Sequence, residues 1–335
     1  MKRIALLNLV ILLLVLPSCE KVLFEEELAS TDPYQNFDYL WIECDEKYAY
    51  FELKEVDWTQ IRSQYRSKLY KGMSEDSLFN VLGAMLKELR DDHANLISNF
   101  KTSFFGVEYQ SQDNFNWRVI VDNYISDEFL ISGPFAHNFI AEDQIGYLRL
   151  SSFSSDIDPE SLDFILERYK ETEGLVLDIR ENGGGAVDNV FKILSRFVNS
   201  ETLIYYSRIK AGVEHDNFSD ESGAYIQPHS GVRYSGDVIV LTDRGTYSSG
   251  SLFALATKAL PNLTLAGDTT GGGLGIPNGG QLPNGWTYRF SITQTLTLDR
   301  KPDYENGVPV DLSVQFDWND LSKDEILEAA ISELL

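Results

Sequence analysis

"DVIVLTDRGTYSSGSLFALATKAL", residues 237–260, changes its period part-way along. After Asp237 the run "VIVL" is apolar and mostly β-branched, as in a buried strand, whereas "SSGSLFALATKAL" is a helix-forming run. Between them stand two adjacent serines, Ser248 and Ser249. A serine where a strand gives way to a helix is most often an N-cap, because its oxygen accepts an orphan backbone N–H. The same position also suits a nucleophile, since a helix N-terminus lowers the cost of negative charge beside the hydroxyl.

Working outward, the same alternation repeats. "IGYLRLSSF" (145–153), "GLVLDIR" (174–180) and "LTLAGD" (263–268) read as strands. "DPESLDFILERYKE" (158–171), with Pro159 in its first turn, and "AVDNVFKILSRFV" (186–198) read as helices. Strands and helices in alternation specify an α/β fold with a largely parallel sheet, here spanning residues 143–335 and closed by the amphipathic "SKDEILEAAISELL". In such sheets reactive groups gather beyond the carboxyl ends of the strands. A second turn of that kind is "RENGGG" (180–185), whose glycines let the backbone present unobstructed N–H groups to an anion or a developing oxyanion. It has neither the Lys-Ser/Thr of a phosphate loop nor a dinucleotide fingerprint.

Upstream, residues 34–98 read as a small helical domain. In "MSEDSLFNVLGAMLKELRDD" (73–92), Ser74 is placed to cap a helix whose apolar stripe is Leu78, Val81, Leu82, Met85, Leu86 and Leu89. Residues 99–142, with "FFGVEYQ", "WRVIVDNYI" and "EFLISGPF", are rich in aromatic and β-branched side chains and read as a short β insert. The chain starts with Lys2 and Arg3 before an apolar run that ends in "LPSC", so residues 1–18 read as a signal peptide. Residues 19–33 then read as an acidic tether.

Composition narrows the function. At 43% hydrophobic and 24% charged residues the 335-residue chain has the make-up of a folded protein. A formal charge of −24 with no basic cluster disfavours nucleic acid as a partner. Two cysteines and four scattered histidines give no thiolate or histidine metal spacing, so a metal-free, cofactor-free chemistry is expected. Cys44, among aromatics, reads as a small buried thiol. A serine nucleophile needs a base, and His93, in "LKELRDDHANLIS", directly follows a helix that leads into the β region. A histidine at such an exit is more often a capping or surface residue. Glu305, in "KPDYENGVPVDLSV", has the bland reading of a solvated turn carboxylate.

Taken in order, "IGYLRLSSF", "GLVLDIRENGGG", "VIVLTDRGTYSSGSLFALATKAL", "LAGDTTGGG" and "ENGVPVDLSV" resemble the serine peptidases that comprise the C-terminal processing proteases and the tricorn core protease. "FDYLWIECDEKYAYF" and "LRDDHANL" are similar to the helical segment before the tricorn-type core. The resemblance implies a core related to the Clp protease and crotonase folds, with Ser248 as nucleophile. It also implies an oxyanion hole made by the N–H groups of Ser249 and a glycine of "NGGG", most nearly Gly184. The processing branch pairs its serine with a lysine in the glycine-rich stretch that reads "GDTTGGGLG" here, where Gly273 stands at or near the lysine position. The resemblance therefore falls on the tricorn-type branch, with His93 as general base and Glu305 helping to fix it, Asp303 and Asp311 being rivals for that last place. About 50 residues separate His93 from "IGYLRL", too few for the PDZ domain usual in the processing branch. "LPSC" is similar to a bacterial lipobox, implying lipid on Cys19 and a membrane-anchored enzyme of the cell envelope that acts on peptides or proteins. The rival expectation is a catalytically silent lipoprotein that binds peptides or apolar ligands on the same fold.

Overall fold

The computed structural model describes residues 29–335. The signal peptide, most of the tether and Cys19 lie outside the described residues.

Helices α1 (Pro33–Lys47), α2 (Trp58–Arg66) and α3 (Glu75–Lys87) form the N-terminal unit. Ser74 caps α3 by accepting from the Ser77 N–H at 3.2 Å, as its position predicts. The α3 stripe is buried except for Val81, which is half-buried, and Cys44 is fully buried. The stripe packs on more than the two earlier helices: Leu282, Trp286, Tyr288 and Phe290, almost 200 residues downstream, share its apolar cluster. They come from a hairpin, β11 (Pro277–Gln281) and β12 (Thr287–Ser291), which joins β1 (Asn95–Ile97) and β2 (Thr102–Ser103) in the order β11-β12-β1-β2. A segment of the core thus reaches back to complete the N-terminal unit.

The core is a seven-stranded sheet of order β14-β10-β9-β6-β5-β4-β3. Its strands are β3 (Leu130–Ser132), β4 (Phe135–Ile140), β5 (Ile145–Leu150), β6 (Gly174–Asp178), β9 (Asp237–Thr242), β10 (Leu263–Gly267) and β14 (Leu312–Ser313). From β14 to β5 every pair is parallel, and β4 and β3 add an antiparallel edge. The period of two sorts the side chains cleanly. Leu175 and Leu177 of β6, with Val238 and Val240 of β9, pack against α5 (Pro159–Arg168), α6 (Val187–Leu194) and α7 (Ser249–Thr257). Their neighbours Val176, Ile239 and Leu241 face the opposite layer, which holds α8 (Glu325–Leu334). Both faces are covered, which is why these strands read as continuous apolar runs. A further small sheet, β13-β7-β8, is built from β7 (Thr202–Ile209), β8 (Ser222–Ile226) and β13 (Thr293–Leu296).

Residues 99–142 differ from the expected run of strands. "WRVIVDNYI" is helical: α4 (Trp117–Ile120) continues into a wider turn over Val121–Ile125. Asn116 caps it, its side chain accepting from the N–H groups of Arg118 and Val119. Burial of Val119, Ile120 and Ile125 under the sheet outweighs their β-branched preference. Of the strands in this segment, β2 belongs to the sheet of the N-terminal unit, and β3 and β4 belong to the core sheet itself.

Candidate active site

Because β6 and β9 are parallel neighbours, the turns that follow them leave the sheet at the same end. That brings "RENGGG" against "GTYSSG". Gly184 lies in the left-handed region at φ 99°, and a Cβ there would fall 2.8 Å from Ser248 Cβ and 2.9 Å from the Ser249 nitrogen. Only a glycine fits so close an approach.

Ser248 is the N-cap residue of α7 by position but not by bonding, since its side chain caps nothing. Its backbone stands at φ 54°, ψ −118°, a conformation that costs a non-glycine residue about 1–3 kcal/mol. The strain is held by the Ser248 N–H donating to Gly272 O at 2.9 Å and by its carbonyl accepting from the Leu252 N–H at 2.8 Å. A strained strand-to-helix turn that projects its serine hydroxyl is the geometry of a nucleophile elbow. Ser249 Oγ instead donates to Gly185 O at 2.7 Å, tying the two turns together.

His93 arrives from the N-terminal unit. After α3, Arg90 adopts φ 49° and ends the helix. The chain then enters β1, paired with β12 in the register Asn95↔Arg289 and Leu96↔Tyr288. Extending that register by two residues sets His93 across from Ser291. His93 is 5% exposed, and its Nε2 stands 3.1 Å from Ser248 Oγ. Both side chains line a cleft of about 880 Å³, walled by Tyr205, Leu252, Leu274 and Ile276 among others. Burial lowers the His93 pKa, and the charge of Asp91 pulls it partly back, so the imidazole is poised neutral.

The anchoring of this histidine differs from expectation. Glu305 is 1% exposed and makes no hydrogen bond to His93. Its Oε2 accepts from the N–H groups of Leu274 (2.7 Å) and Gly275 (3.0 Å), and its Oε1 has no partner among the described residues. Burial, reinforced by the charge of Asp91, pushes its pKa up to about 8. Neither rival bonds His93: Asp303 is exposed, and the Asp311 carboxylate serves Lys258 Nζ and the Leu265 N–H. The carboxylate beside His93 is Asp91, 2% exposed. Its Oδ1 accepts from the His93 N–H (2.8 Å) and from Tyr247 Oη (2.9 Å), and its Oδ2 accepts from Ser291 Oγ (2.9 Å). Ser291 Oγ lies 3.4 Å from His93 Nδ1. Tyr247 Oη also accepts from the N–H groups of Asp92 and His93. Asp91, Tyr247 and Ser291 carry no signal of their own in the sequence; the acidic pair in "RDDH" is the nearest to one.

The expected oxyanion donors divide. Among the described residues the Ser249 N–H donates to nothing, whereas the Gly184 N–H is bonded to Asn182 Oδ1 at 3.0 Å. The glycine is where it was expected, but its donor is engaged. The neighbouring N–H groups of Gly183 and Gly185 are the ones without an acceptor among the described residues. Gly273 sits at φ 70° beneath the Tyr247 ring, where a Cβ would come within 2.1 Å of Cζ, so no longer side chain fits this backbone. No group of His, Cys, Asp and Glu able to hold a metal ion occurs among the described residues.

Residues 30–87 match the Tricorn protease C1 domain. A structure from Parabacteroides merdae, titled as a candidate peptidase, superposes with a TM-score of 0.88 at 37% identity, covering 91% of this chain and 98% of its own. Mature CPAF shares the fold, with a TM-score of 0.69 at 13% identity over 91% of this chain and 96% of its own. The carboxy-terminal processing protease CtpB of Bacillus subtilis is 28% identical over 185 residues, 50% of this chain and 36% of that protein. The chain thus spans about a third of the length of the curated relatives it matches. Residues 144–314, from β5 through β14 and including both turns of the cleft, match Peptidase family S41, and the chain belongs to that family.

Proposed function

We propose that the chain is a serine peptidase in which Ser248 is the nucleophile and His93 the general base. The observation that carries this reading is the 3.1 Å separation of Ser248 Oγ and His93 Nε2 on a strained turn at the floor of an open cleft. His93 Nε2 takes the hydroxyl proton as Oγ attacks a peptide carbonyl. The Ser249 N–H and a donor of the glycine turn hold the oxyanion. His93 then returns the proton to the leaving amine, and water, activated by the same imidazole, releases the acid product and regenerates Ser248.

The substrate class is peptides or proteins, and trimming near a carboxyl terminus is the form suggested by relatives named carboxy-terminal processing proteases. The N-terminal sequence supports a lipid on Cys19 and a place in the bacterial cell envelope. Lipid on Cys19 is testable by metabolic labelling with a fatty acid analogue, which Cys19→Ala would abolish.

The engaged Gly184 N–H favours a second reading, a silent peptide-binding protein on the same fold. Fluorophosphonate labelling and a peptide library separate the two. The peptidase labels and cleaves, Ser248→Ala does neither, and His93→Ala loses on the order of a thousandfold or more in kcat. A folded wild-type protein that neither labels nor cleaves is the silent binder.

A further inference from the structure

We infer that Asp91, acting through the hydroxyl of Ser291, is the positioning residue that sets the tautomer and orientation of His93, so that the site is a line of four groups, Ser248–His93–Ser291–Asp91. This rests on the assignment of Ser248 and His93 above. It replaces the Glu305 of the sequence expectation with a residue from the histidine's own turn and one from a strand that the register brings opposite.

The direction of each hydrogen bond follows from what each group can donate. An ionised Asp91 only accepts. The Ser291 proton therefore points to Oδ2 at 2.9 Å, leaving an oxygen lone pair toward His93 Nδ1 at 3.4 Å. Nδ1 is then the nitrogen that carries hydrogen, and Nε2 presents its lone pair to Ser248 Oγ at 3.1 Å, as a base must. The 3.4 Å contact is long for a hydrogen bond, and an imidazolium would donate to the hydroxyl more strongly than the neutral ring does. Both members are sealed from water, Asp91 at 2% and Ser291 at 0% exposure.

The surroundings keep the charge on Asp91. Burial opposes ionisation, but the charge of Lys54, the His93 N–H and the Ser291 hydroxyl, joined by the charge of His93 whenever its ring is protonated, hold its pKa below the ordinary carboxylate value. Lys54 is 5% exposed and fixed by its Nζ donating to Arg90 O at 3.0 Å. Glu305 is the other carboxyl facing Asp91, and it keeps its proton at neutral pH, so Asp91 is the single anion behind the histidine. Tyr48 and Tyr247 complete the enclosure as neutral phenols, their pKa values raised by burial and by the Asp91 charge. On the cleft side the charged groups that face His93 are Arg289, which lowers its pKa, and Asp92, which raises it.

Asp91→Asn, Ser291→Ala and Ser291→Thr, each in the full chain, test the line. An amide at position 91 can donate to Ser291, turning the serine proton toward Nδ1 and forcing hydrogen onto Nε2. The expected result is a kcat loss on the order of a hundredfold to ten-thousandfold with KM little changed, as for a wrong-tautomer triad. The acidic limb of the kcat/KM profile should move to lower pH, because a charge that raises the His93 pKa is gone. That shift reports the lost charge, whereas a kcat loss at unchanged KM that Ser291→Ala shares and Ser291→Thr recovers reports the positioning. Ser291→Ala should lose about tenfold in kcat, and Ser291→Thr, which keeps the hydroxyl, should recover most of it. If Asp91→Asn does not fold, the serine pair and its pH profile decide. A Ser291→Ala or a folded Asp91→Asn with kcat within twofold of wild type, or a Ser291→Thr no more active than Ser291→Ala, while Ser248→Ala and His93→Ala are dead, overturns the line and leaves the Ser–His pair standing. Undiminished activity in His93→Ala overturns both.

Discussion

The turn that carries Ser248 and the turn that carries His93 meet at 3.1 Å but are held by different means. The serine turn is local: β9, six residues of turn and α7 lie on one stretch, and its bonds run to a neighbouring crossover of the same sheet. The histidine turn is held by partners about 155 to 200 residues away in the chain, Tyr247 on one side and Ser291 on the other. The nucleophile is part of the core, whereas the base is docked onto it. Strain at Ser248 can be sustained because the core over-determines that turn; His93 depends on a few buried bonds across a seam.

The largest effect is expected on the core side. Arg180, fully buried in the strand exit that leads to the glycine turn, bonds Asp178 at 2.5 Å and Asp324, the N-cap of α8, at 2.8 Å. Arg180→Met strands two buried carboxylates and should cost about 3–5 kcal/mol of stability. Denaturant midpoints measure this, and a loss below 1 kcal/mol would mean that the serine turn is less firmly fixed than the contrast requires.

A smaller effect is expected at the seam. Tyr247→Phe removes the hydroxyl that receives the Asp92 and His93 N–H groups and donates to Asp91, leaving the ring against Gly273 intact. Loss of one buried hydroxyl with several partners should cost about 1–3 kcal/mol. Hydrogen exchange should rise around residues 90–95 and remain unchanged around 180–185. Equal loosening of both turns would erase the distinction between a built-in and a docked element.

The same contrast explains what was legible in the sequence. The core strands, α5, α6, α7 and both turns could be read because burial on two faces leaves continuous apolar runs and each crossover is local. Hairpin β11–β12 could not, because "PNGGQ" is exposed and glycine-rich and pairs mainly through its backbone. Ser291 therefore had no visible connection to His93, since only the register of β12 on β1 brings them together. His93 itself stood out through resemblance to a family, not through pattern. Glu305 was expected, through the resemblance alone, to help fix His93; the charge of Asp91 acts on it, and its bonds go to the glycine-rich strand exit at 274–275, an arrangement that no sequence spacing shows. "WRVIVDNYI" read as strand because propensity says nothing about the cap at Asn116 or the surface the segment covers.

The smallest effect concerns stability against pH, and its sign separates Glu305 from Asp91. Glu305 has a folded pKa raised from 4.5 to about 8, so its contribution to stability is complete below pH 4.5 and is lost as pH rises through 8. Asp91 has a depressed pKa, so its contribution is present above the ordinary carboxylate value and is lost only in acid. His93, lowered by burial, adds stability as pH rises toward its ordinary value and nothing beyond it. Above pH 7, then, Glu305 is the member of the cluster that weakens the fold as protons are withdrawn. Glu305→Gln keeps an acceptor for the Leu274 and Gly275 N–H groups and removes the titration. Its urea midpoint should match that of wild type at pH 4.5 and below, exceed it progressively between about pH 5 and 8, and keep a level margin above that. A constant offset across that range would mean that Glu305 is ionised throughout, and two anions would then stand behind the docked histidine where the geometry provides cationic and N–H support for one.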